Sequence, residues 1–217
     1  MDELSNFDLK LIDGLEFCAK VYALLEDIRK RPNGIPSLRL KSGKLEKKLL
    51  EELIPLCTYI QSKYRAGRYI CVRWVDGSQQ YDASIIQHGF YVEHGYYSEK
   101  AYLEVTCAMH PKEYLGREHL EKEGHSYGYN GLKRKKDGSI ESVPVSYRRL
   151  SFIDEDSERI QTLIKNKCAK KYPENTTLIV QVSLATVYGA NEWTKLIEKV
   201  SNCLPKNQFE VSRGQPT

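Results

Sequence analysis

No stretch of this 217-residue chain approaches the roughly 18 consecutive apolar residues of a bilayer-spanning helix. The first residues, "MDELSNFDLKLIDG", lack the basic and apolar blocks of a secretory signal, so no export is expected. No two of the six cysteines form a CxxC pair. Neither a zinc cluster nor a disulfide framework is therefore indicated, and a reducing, cytoplasmic setting is expected. The five histidines match no ligand spacing, which leaves zinc unsupported. Also missing are a G-x-S-x-G elbow and a glycine-rich phosphate loop of Walker or Rossmann type. Net charge is only +4, too small by itself to name a polyanionic partner.

What charge there is gathers in one place. Lys133, Arg134, Lys135, Lys136, Arg148 and Arg149 lie between residues 124 and 152 with only Asp137 and Glu141 against them. The segment reads as a basic hairpin with its tip at "KKDGSI", either a solvated arm or a contact for a phosphate backbone.

Periodicity orders the rest. Residues 4–30 carry Leu4, Phe7, Leu11, Leu15, Cys18, Tyr22, Leu25 and Ile28 at helical steps, stopped by "RPNGIP". A second helix spans about 44–65, with Pro55 as a kink. The period then drops to two through "RYICVRWV", a "DGS" turn, "QQYDASII" and "KAYLEVTCAM". A short helix over 110–123, the basic hairpin, a helix over about 157–172, the strand "TTLIVQVSL" and a last helix over about 191–204 complete the order. The fourth strand, an apolar run expected to be buried on both faces, returns through a helix and so should run parallel to its neighbour. The expected domains are an N-terminal helical extension (1–43), an α/β domain (44–204) and a flexible tail (205–217).

Two strands each hold a lone acid, Asp82 and Glu104. A carboxylate in an apolar sheet costs several kcal/mol unless paired, protonated or bound to a metal. Converging acids repel, and a hard divalent cation such as Mg²⁺ or Mn²⁺ relieves that repulsion. On "YDA" and "LEVT", with a helix ending "IKNKCAKKY" before "LIVQV", the chain resembles the PD-(D/E)XK nuclease superfamily over about residues 44–184. The resemblance implies a restriction-endonuclease-like mixed sheet flanked by helices, with Asp82 and Glu104 as metal ligands. It also implies hydrolysis of phosphodiester bonds in nucleic acid, DNA in the first instance, in a defence or repair role.

The resembled family places a lysine where this chain has Thr106. Lys167 and Lys171 fall on the apolar stripe of the helix before "LIVQV", so either could supply the amine or merely snorkel to water. Glu52, with Glu51 beside it, could add a ligand from the second helix or face solvent. The tyrosines of "GFYVEHGYYSEKAY" suit strands, and they also suit stacking on unpaired bases. The missing lysine keeps a second reading open: a catalytically inactive nuclease fold that binds nucleic acid, or a protein partner or second copy through its first helix. A third is that both acids are structural, in an enzyme of another kind.

Overall fold

The structure, a computed structural model, describes residues 3–146, 151–183 and 189–204. Five strands form one mixed sheet in the order β1-β2-β3-β4-β7: Leu11–Asp13, Tyr69–Trp74, Ala83–His88, Lys100–Ala108 and Thr176–Val182. The first four neighbours pair antiparallel, and β7 lies parallel to β4, as its helical crossover requires. A separate two-stranded hairpin, β5 (Leu132–Arg134) with β6 (Ile140–Ser142), is the basic segment.

Residues 4–30 are not one helix. Leu9 takes a left-handed φ of 57°, and the chain then lays Leu11–Asp13 along β2 before α1 (Gly14–Arg29) begins. The cause is local: the Asp13 carboxylate accepts from Leu15 N at 2.9 Å and Glu16 N at 3.4 Å, capping a helix that starts there. Phe17, Cys18, Val21, Leu24 and Ile28 turn inward, while Leu11, Leu15 and Tyr22 stay exposed. The inward side chains join Leu4, Phe7 and Ile12 in the same cluster as Ile70, Val72, Trp74, Ile85 and Leu103. Packing therefore does not divide at residue 43; the apolar face of α1, which the sequence left open to a partner or a second copy, is spent on the chain's own core.

Short α2 (Gly34–Leu40) leads to the second helix, which breaks into α3 (Lys44–Lys48), a π-helical turn (Leu49–Leu53) and α4 (Ile54–Lys63). Pro55 has no N–H to donate, so the Glu51 carbonyl is left to other donors; the Cys107 thiol reaches it at 3.8 Å. The adjacent amide, Ile54 N–H, bonds back to Leu49 in the wider π pattern. In β2, β3 and β4, alternate residues point to this helical layer, with Ile70, Val72, Trp74, Ala83, Ile85, Ala101, Leu103 and Val105 all buried.

On the sheet's other side, α7 (Ser151–Cys168) and α8 (Ala190–Ser201) pack over β4 and β7, burying Ala108, Ile153, Ile160, Ile164 and Leu196. Contrary to the sequence expectation, β7 is an edge strand and its residues from Leu178 onward are only partly buried. The segment after β3 is a helical turn, α5 (Phe90–Glu93), opened by Gly89 at φ 103°. α6 (Glu113–Glu123) ends at left-handed Gly124 and carries the basic hairpin on its flank. No helix among the described residues is long and apolar enough to cross a membrane. The tail from 205 lies outside the described residues.

Candidate active site

The ladder between β3 and β4 ends with Ala83 opposite Leu103, and Asp82 stands one residue before β3, near enough to Glu104 for the two charges to act on each other. A main-chain bond still ties it to β4, with Asp82 N–H donating to Leu103 O at 2.9 Å. The Asp82 carboxylate turns back onto the strand and accepts from Val105 N–H at 2.7 Å. Burial pushes its pKa up to about 6 against that hydrogen bond, aided by the negative charges of Glu52 and Glu104, while Lys167 pulls the other way. No basic side chain bonds to it among the described contacts. It is an acid held next to other acids and only partly relieved.

Glu104 is buried on the face that looks toward α7. Lys167 follows Ile160 and Ile164 on the inward stripe of that helix. Its ammonium reaches Glu104 Oε1 at 2.5 Å, with side chains 22% and 10% exposed. The Tyr172 hydroxyl donates to the same oxygen at 3.5 Å. Burial first, then the charges of Glu104 and Asp82, hold that phenol up to about 12, so it remains a donor near neutral pH. Thr106, two residues beyond Glu104 on the same face, is half-buried.

The π-helical turn supplies the third acid. Glu52 accepts from Lys48 Nζ at 2.7 Å and from the Trp74 indole N–H at 3.2 Å. Burial would lower the Lys48 pKa, but the hydrogen bond to Glu52 and the charges of Glu52, Asp76 and Asp82 raise it on balance. Asp82 thus feels Glu104 and Lys167 from the α7 face of the sheet and Glu52, paired with Lys48 and Trp74, from the other. Glu51 turns away, bonded to Lys41 Nζ at 2.6 Å and the Tyr114 hydroxyl at 2.8 Å.

Not every candidate residue joins this centre. The helix ends at Cys168, so Lys171 leaves the stripe and is exposed. In the hairpin, Arg134 is tied to Glu118 and Lys135 faces Glu141 at 3.4 Å, which neutralises two of the four described bases of the expected arm. Lys133 and Lys136 point to solvent, and the hairpin packs on α6 rather than on the acids. Arg148 and Arg149 lie outside the described residues. Lys48, Trp74 and Tyr172 were missed by the sequence reading. Lys48 and Glu52 do stand at the i, i+4 spacing of a helical ion pair, but nothing in the sequence aims that pair at Asp82. A groove of about 810 Å³ lies along the N-terminal segment and α1, lined by Glu3, Lys10, Asp13 and Lys20 among others. Its mixed charges and separate lining set it apart from the acid centre.

Chemically, the donors are hard carboxylate oxygens beside an amine and a phenol, a set suited to a small divalent cation and to an anionic substrate. The side chains as placed do not close around a common point, since no three His, Cys, Asp or Glu groups among the described residues are positioned to hold an ion. Lys167 takes one Glu104 oxygen directly. Neither a family model, nor a curated protein, nor a solved structure matches this chain, so its geometry alone carries the functional argument.

Proposed function

We propose that this protein is a divalent-metal-dependent nuclease-like enzyme of the PD-(D/E)XK type that hydrolyses phosphodiester bonds in nucleic acid. The observation that carries the reading is Lys167 on Glu104, with the Asp82 carboxylate beside them at the start of the next strand. The amine absent at Thr106 is supplied from α7.

Asp82 and Glu104 would hold Mg²⁺ or Mn²⁺, with the charge of Glu52 adding to the field at Asp82. When bound, the ion supplies a water of lowered pKa and neutralises charge on the phosphate. The chain's own groups do the rest. Lys167 orients Glu104 and presents its ammonium beside the reacting phosphate, and the Tyr172 hydroxyl donates to the same carboxylate. The partly relieved negative charge of Asp82 is what a cation would compensate, and its half-buried position keeps bulk water from doing so.

The test is cleavage of labelled single-stranded and duplex DNA and RNA with Mg²⁺ or Mn²⁺. Activity should appear in the wild-type chain and fall roughly 10²- to 10⁴-fold in Lys167→Ala with the fold retained. Undiminished cleavage by that variant would remove the assignment. One observation favours the second reading, an inactive nuclease fold that binds rather than cuts: the amine, not an ion-ready gap, sits on Glu104. An intact, nucleic-acid-binding chain with no cleavage under either ion would select it.

A further inference from the structure

The helices that flank the sheet cover it unequally. α1 and α4 close one face of β2, β3 and β4, whereas α7 and α8 cover the other face only at β4 and β7. Over β2, β3 and the start of β4 the residues that alternate with the core point outward: Tyr69, Arg73, Ile86, His88, Lys100 and Tyr102. All but Tyr102 are exposed, and no described element packs over them. They sit on the same face as Glu104, because residues 100, 102 and 104 share a parity.

This open face is aromatic and basic. Tyr69 lies 5.3 Å from His88 with the rings tilted by 31°, steadied by the edge of Tyr64 at 5.9 Å. Tyr102 packs at 4.7 Å against Tyr81, and the Lys100 ammonium stands 5.4 Å from its ring centroid. The outward carboxylate of the three strands β1 to β3 is Asp13, already engaged by the start of α1 and by the Tyr64 hydroxyl at 3.3 Å. From His88 to Asp82 the strand spans about 20 Å at roughly 3.4 Å per residue.

We infer that this face is a platform for a single strand of nucleic acid, its bases stacked on Tyr69, His88 and Tyr102 and its phosphates met by Arg73 and Lys100, leading to the Asp82–Glu104 centre. Three arguments select that occupant. Arg73 and Lys100 are exposed and in no ion pair with a described residue, and only Asp13 opposes them on β1 to β3 among the described residues, which suits a polyanion. A second copy of the chain, face to face, would set basic on basic. Stacking on flat rings needs unpaired bases, which a duplex keeps inside its own helix. The direction in which the strand runs rests on the nuclease reading; binding to the face does not.

The experiment is fluorescence anisotropy of the full chain in EDTA, so that no cleavage enters. The probes are labelled oligo-dT and oligo-rU of about 15 nucleotides, and a duplex of the same length. Wild type should bind the single strands more tightly than the duplex, and the tighter of the two names the sugar. Tyr69→Ala and Lys100→Glu should each weaken single-strand binding on the order of tenfold, while Tyr69→Phe keeps it. Unchanged melting temperatures establish that the variants are folded. No binding by wild type, equal affinity for the duplex, or indifference to both substitutions would overturn the inference. So would a dimer in light scattering that Ile86→Glu dissociates, since a second copy would then own the face. Metal-dependent cleavage lost in Asp82→Ala alongside unaltered affinity in the face variants would sink this platform and spare the nuclease reading.

Discussion

Asp82 carries the sharpest consequence at the scale of one side chain. Its pKa stands at about 6 in the fold against an ordinary 3.8. Below about pH 4 both folded and unfolded states hold the proton, and the site costs nothing. As pH rises through 6, the folded state must ionise in a place that resists it, and stability is lost. Asp82→Asn should therefore be more stable than wild type at pH 8 by about 2 kcal/mol, with the advantage gone near pH 4. Urea melts at a series of pH values would show it, and a pH-independent difference would contradict it. Lys167 works in the opposite sense. Removing it leaves Glu104 buried with its charge unmatched, so Lys167→Met should cost roughly 3 kcal/mol at pH 7. The double variant with Glu104→Gln should regain most of that loss, and additive losses would mean that the pair is not coupled.

Elements show how much of this was legible in the sequence. Each lone acid stood out because it interrupted an apolar alternation, and Lys167 because it fell on the stripe of Ile160 and Ile164. The placement of Asp82 beside Glu104 was not legible: residues 75–82 form an irregular connection whose length does not fix pairing as a two-residue hairpin would. β1 was hidden because "LID" continues the helical spacing of its neighbours, and three residues give too little alternation to be seen. A signal was present nonetheless. Asp13 followed three residues later by Glu16 is the signature of a helix start, and the Asp13 cap is what the structure contains. Asp13→Ala should lower stability by about 1 kcal/mol, read by thermal unfolding; no change would mean that the cap contributes nothing. The tyrosines of 89–97 escaped for a related reason. Positive φ at Gly89 and Gly95 turns a strand-like composition into a helical turn.

For the whole molecule, the decisive fact is that one core is shared from Leu4 to Val105. A chain lacking residues 1–43 should not give a smaller folded domain, because Phe17, Val21 and Ile28 would leave the sheet's inner face bare. Circular dichroism and amide NMR dispersion would check this, and a cooperative native-like fragment would refute it. That same core holds β3 and β4 in register and so fixes where the acids meet. The amine comes from the other layer, on α7, which is why no local motif contains the whole of the proposed site. The most direct test of the account is calorimetric titration of Mn²⁺ into the intact chain and into its Asp82→Ala variant at pH 7.5. Binding by wild type that vanishes in the variant is the predicted result, and equal affinity in the two, or none in either, would contradict the account.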